Sequence, residues 1–139
     1  MARGGQCGVA EQGEPRLSNK ALVIRGGEMS NLQHMQDQAV DEYCLNGRYA
    51  LSVGADETMS LRELAMANRR PNRKIRKTTV GRLRAAGFEV TYPTGTKRHA
   101  DLILPTHPTD GDWVALIEAF DNHEPNPYYY EREGEVNQE

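Results

Sequence analysis

Apolar residues recur at Leu32, Met35, Ala39, Val40 and Tyr43, a spacing that places them on one face of a helix. Ser30 and Gln33 form a capping-box pair ahead of that run, and Asn46-Gly47 closes it with residues that tolerate the left-handed stop. Before it, Ala21-Leu22-Val23-Ile24 is continuous and apolar and is punctuated by Gly26-Gly27, which predicts a short strand. After it, Tyr49 to Val53 predicts a second strand. If the two strands are parallel, the unit is a right-handed β-α-β crossover.

A second capping box, Ser60 with Glu63, precedes Leu61, Leu64 and Ala65 and predicts a short helix. Pro71 breaks the chain after it, leaving Arg73 to Lys77 as a loop or short strand. Thr78 or Thr79 then caps a third helix with Val80, Leu83 and Ala86 on one face, and Gly87 ends it. Phe88, Val90 and Tyr92 alternate, Pro93-Thr94-Gly95-Thr96 supplies a turn, and His99 to Leu104 returns as the second arm of a β-hairpin. Asp110-Gly111-Asp112 opens a last helix carrying Trp113, Ile117 and Phe120. The fold expected is a small single α/β domain, with an α+β arrangement also compatible with this order. An N-terminal β-α-β is followed by helices, a hairpin and a C-terminal helix. Residues 1–19, rich in Gly, Gln and Glu, are expected to be a disordered leader. Residues 20–121 form the globular domain, with 60–105 as a basic helix-hairpin unit, and 122–139 form an acidic, Tyr-containing tail.

Charge changes this picture by segregating. The 139 residues carry a formal −3, yet between Arg62 and Arg98 eleven cations face two acids, a local +9. Residues 99–139 hold ten acids and one cation, a local −9. A cationic run of this density fits a phosphate polyanion, because Lys and Arg release condensed counterions on meeting a nucleic-acid backbone. The residues expected to bind DNA or RNA are Arg69, Arg70, Arg73, Lys74, Arg76, Lys77, Arg82, Arg84, Lys97 and Arg98. Their clustering around Pro71 favours backbone contact over base reading. An acidic protein is the alternative partner, and the acidic tail of the same chain competes with both.

Helix, Pro71 turn, helix and basic-tipped hairpin over residues 60–105 resemble a winged helix-turn-helix. That resemblance implies a second helix entering the major groove and a hairpin touching the backbone. Arg84-Ala85-Ala86-Gly87-Phe88-Glu89-Val90, followed by Gly95-Thr96-Lys97-Arg98-His99, resembles the core of HicA-type mRNA-cleaving toxins. This second resemblance implies an endoribonuclease of a toxin–antitoxin pair. Lys97 stands where that family has its catalytic histidine, so the catalytic candidates are His99 and Lys97. Arg25, Ser52 and Glu118 also follow the Arg-Ser-Glu order of some ADP-ribosyltransferases. A non-enzymatic nucleic-acid-binding protein is the leading expectation.

The histidines, His34, His99, His107 and His123, match no metal-ligand spacing, although His99 and His107 with Asp101, Asp110 and Asp112 supply the groups of a hydrolytic site. No Walker or dinucleotide pattern is present, so neither metal nor cofactor is expected. Cys7 and Cys44 form no disulfide framework. No apolar run is long enough to span a membrane, and no signal peptide is visible, so a cytoplasmic location and no membrane partner are expected.

Overall fold

The computed structural model describes residues 17–91 and 99–131. In chain order these form β1 (Leu22–Gly26), α1 (Leu32–Asn46), β2 (Ala50–Asp56), α2 (Leu61–Asn68), β3 (Lys74–Thr79), α3 (Val80–Ala85), β4 (Glu89–Thr91), β5 (Ala100–Ile103), α4 (Asp110–Glu118) and β6 (Glu124–Pro125). A closing helical turn occupies residues 127–131. The strands make one sheet in the order β4-β5-β2-β1-β3-β6, and every neighbouring pair is antiparallel. The domain is thus mixed α and β, with the hairpin β4–β5 where alternation placed it.

Local chemistry sets the helix ends. Gly47 takes a left-handed conformation, φ 79°, and its N–H closes on Tyr43 O at the end of α1. The start of α1 differs from expectation: Asn31, rather than Ser30, is the cap and accepts from the His34 amide. Ser60 and Glu63 form the reciprocal capping box on α2. Thr79 caps α3, and Thr109 with Asp112 caps α4.

The parallel crossover is overturned by strand direction, and of the loop or short strand expected at Arg73 to Lys77 the strand is what forms. β1 and β2 pair antiparallel, with Val23 opposite Ala55, so no parallel crossover forms. β1 is apolar on both faces, and the alternation of β2, Leu51, Val53 and Ala55 against Ser52, Gly54 and Asp56, marks a buried face but not a direction. The segment between α2 and α3 is also not a turn. It is β3, an interior strand held by β1 on one side and β6 on the other. Helices separated by a strand of the central sheet do not make a helix-turn-helix. The winged-helix resemblance therefore fails at its first two helices.

The sheet separates two apolar clusters. On one face, Val23, Leu51, Val53 and Ala55 meet Met35 and Ala39 of α1, Val80 and Leu83 of α3, and Trp113 and Leu116 of α4. On the other, Ile24 and Ile75 meet Leu64 and Ala65 of α2. Residues three and four apart on α2 supply that contact, as its short apolar stripe requires. Order also reaches further at both ends than the sequence indicates. Leu17 is buried in the larger cluster, and Ser18 bonds Glu57. The acidic segment contributes β6 and the turn at 127–131. Residues 1–16 and 132–139, with most of the predicted leader and the end of the tail, lie outside the described residues.

Candidate functional site

α2 packs on β1 and on β2, where Asn68 lies against Gly54, and reaches Ile75 of β3, so the same face of β5 and β4 carries no helix among the described residues. Register places Ser52 of β2 opposite Asp101 of β5, and Asp101 opposite Thr91 of β4. Side chains directly opposite across antiparallel strands share a face, so this row is polar on an otherwise apolar sheet. Arg48 reaches Asp101 Oδ2 at 2.5 Å. His99, just before β5, places Nδ1 3.2 Å from Ser52 Oγ and Nε2 3.7 Å from Asp101 Oδ1.

Ser52 is the hub of this cluster. β1 pairs with β2 from Leu22 to Ile24 and then leaves it. Arg25 fills the divergence, donating from Nη1 to Ser52 O at 2.7 Å and from Nη2 to Gln38 Oε1 of α1. From the other side Arg70 donates from Nη2 to Ser52 Oγ at 2.8 Å and from Nε to Asn68 Oδ1 at 2.7 Å. With Arg70 supplying a proton to Oγ, the serine hydroxyl is free to donate to His99 Nδ1 when that nitrogen is unprotonated. The 70–72 turn that presents Arg70 is fixed from beneath. Asn126, only 1% exposed, donates from Nδ2 to Arg70 O and Asn72 O.

Electrostatically, the cluster holds three guanidinium groups and one carboxylate. Burial, and then the neighbouring charge of Arg70, lower the pKa of Arg25 to about 10. Burial lowers Arg70 as well. Two desolvated like charges with no carboxylate bonded to either are destabilising in isolation.

The expected nucleic-acid contacts are dispersed rather than gathered. Arg76 is buried beneath α4, where it donates to backbone carbonyls, and burial lowers its pKa against the opposing pull of Asp121. Lys74 pairs with Glu28, Lys77 with Glu124, Arg82 with Asp121, and Arg84 with Glu89. Arg73 lies over the Tyr129 ring at 5.7 Å. Arg62 is bridged by Glu131, which raises its pKa. Part of the acidic segment thus folds along the basic run, with Asp121, Glu124 and Glu131 pairing Arg82, Lys77 and Arg62. Of the predicted set, Arg70 joins the Ser52 cluster and exposed Arg69 caps α2 beside it. Lys97 and Arg98 lie outside the described residues, as does the Gly95-Thr96 turn of the toxin resemblance. The helix, Gly87 stop, buried Phe88 and strand preceding that turn are present.

Arg25 and Arg48 were not among the expected contacts. The available signal for Arg25 was a charged residue ending an apolar strand just before two glycines. For Arg48 there was none, since its partner is 53 residues away. Arg25 and Ser52 do meet, whereas Glu118 is exposed on α4, across the sheet from Ser52.

Arg69 itself sits at φ 59°, a left-handed conformation that a side chain disfavours. Replacing it with glycine is expected to stabilise the fold by about 0.5–1 kcal/mol, measured by urea unfolding. A loss of stability in that variant would show that the Arg69 side chain holds the turn.

Comparison with protein-family models, curated proteins and solved structures gives no match. Among the described residues, no helix is long and apolar enough to cross a membrane, and no group of three or more His, Cys, Asp or Glu is placed to hold a metal. Cys44 is a free, exposed thiol.

Proposed function

We propose that the protein binds nucleic acid by its phosphate backbone, at the uncovered face of β5 and β4 and the adjoining Ser52 end of β2. The observation that carries this reading is Arg70 bonded to Ser52 Oγ beside Arg48, which pairs with Asp101 directly opposite Ser52. Guanidinium groups held around a part-buried polar row suit phosphate oxygens, which accept in forked pairs. Exposed Arg69 extends that row, and Lys97 and Arg98 belong by sequence to the hairpin joining its two outer strands. The polar, largely non-aromatic face favours backbone grip over base stacking.

The test is fluorescence anisotropy with labelled duplex DNA and duplex RNA over a range of salt. Affinity is expected to fall as salt rises. Arg48→Gln and Arg70→Gln should each flatten the slope by about one contact. Binding of neither duplex at low salt, or binding indifferent to salt, would falsify the reading.

One observation favours a second reading, cleavage of bound RNA. His99 lies within hydrogen-bond distance of Ser52 Oγ and close to Asp101, so a group able to exchange protons near neutral pH stands beside phosphate-binding arginines. In that reading His99→Ala abolishes cleavage of an RNA substrate while binding persists. An RNA left intact by the wild type would leave binding as the sole activity.

A further inference from the structure

Behind the Ser52 cluster, at the end of β1 where the chain enters α1, lies a separate cleft of about 220 Å³. Its walls include Arg25, Gly27, Ser30, His34, Arg70 and Asn72. Gly26 lets the 70–72 turn close in, because a Cβ there would stand 2.1 Å from Asn72 Oδ1. Arg25 is 7% exposed, yet it borders this cleft.

The charge arrangement here is incomplete in a specific way. Arg25 and Arg70 bond only neutral acceptors: Ser52 O, Gln38 Oε1, Asn68 Oδ1 and Ser52 Oγ. Each guanidinium has five N–H donors, so each keeps donors beyond the two already engaged. The acid bordering the cleft, Glu28, pairs with Lys74. Burial disfavours the charged form of both arginines, and the neighbouring charge of Arg70 adds to this at Arg25. An anion bound between them would reverse that penalty.

We infer that this cleft is a binding site for a phosphate monoester, held between the guanidinium groups of Arg25 and Arg70. A dianion matches the two positive charges, and its planar-forked contacts match guanidinium geometry. The first turn of α1, capped by Asn31, adds backbone donors at its positive end. The cleft accepts a phosphoryl group with part of the molecule bearing it, so the ligand is either a small phosphate ester or the phosphorylated end of a polynucleotide. This inference shares Arg70 with the sheet-face reading but has its own determinant in Arg25, which lies behind that face.

The test titrates the full chain with inorganic phosphate, a nucleoside monophosphate, and matched oligonucleotides with 5′-phosphate or 5′-hydroxyl ends, at constant ionic strength. Saturable binding of phosphate or the monophosphate is expected. Arg25→Gln and Arg70→Gln should each weaken it at least tenfold, and the Arg70 variant carries the test if the Arg25 variant fails to fold. A 5′-phosphate preference lost in Arg25→Gln assigns the group to a polynucleotide end. Equal binding of the two oligonucleotides, with monophosphate binding retained, assigns it to a small ester. Absence of saturable binding at millimolar concentrations, or binding unchanged in the folded variants, overturns the inference. Salt-dependent duplex binding would be untouched by that failure, so the two ideas fail separately.

Discussion

Arg76→Met is expected to lower the stability of the fold by about 3 kcal/mol or more, with no direct effect on nucleic-acid affinity. The side chain comes from the most basic stretch of the sequence, yet its guanidinium is a structural tie. Nε donates to Asp121 O at 2.7 Å, Nη2 to Ile117 O and Phe120 O at 3.2 and 3.1 Å, and Nη1 to Glu28 O at 3.3 Å. Three of these acceptors lie at or just beyond the end of α4, where carbonyls lack partners within the helix and a cation is favoured. Thr78 satisfies Ala119 O alongside. Methionine keeps much of the stem's packing and removes every donor, leaving up to four carbonyls to find water or go without. Urea unfolding at unchanged m-value is the measurement. A loss below about 1 kcal/mol would mean that water reaches these carbonyls readily.

A larger functional change is expected from neutralising the acids that lie along the basic run. In the triple variant Asp121→Asn, Glu124→Gln, Glu131→Gln, the partners of Arg82, Lys77 and Arg62 lose their charge. All three pairs are partly or fully exposed, where solvent screening leaves them little weight in stability, so the fold should persist. Three cations would become available to phosphate, steepening the salt dependence by about 2.7, at about 0.9 per contact. Affinity for duplex DNA at low salt should rise about tenfold or more. An unchanged slope in a folded variant would show that these cations do not reach the duplex even when released.

Caps and turns were legible because each depends on residues within a few positions. Gly47, Ser60 with Glu63, and Thr79 all act over one helical turn, and the hairpin is announced by alternation. Strand direction was not legible in β1 and β2, since an apolar run or an alternation fixes which face is buried and not which way the strand pairs. β3 was hidden for a different reason. Lys74, Arg76 and Lys77 read as solvated charge, whereas the strand buries Ile75, Thr78 and the whole Arg76 side chain.

The Ser52 cluster was legible only in parts. His99 and Ser52 drew notice separately, but the register that joins them comes from β2 pairing β5 across 47 residues. Arg25 and Arg70 meet because β1 leaves β2 and Asn126 pins the 70–72 turn. Both causes are tertiary. Local spacing has no access to them.

The internal pairing of charges has a further consequence during synthesis. Arg82 is made 39 residues before Asp121, and Arg62 is made 69 residues before Glu131. At roughly 5–20 residues per second, the nascent basic stretch spends about 2 to 14 seconds without those acids. During that interval the growing chain is a polycation with an incomplete sheet, since β3 lacks β6 and Arg76 lacks the carbonyls of α4. Arg62, Lys77 and Arg82 are then open to any polyanion nearby, and docking of the C-terminal segment withdraws these three cations from such contact.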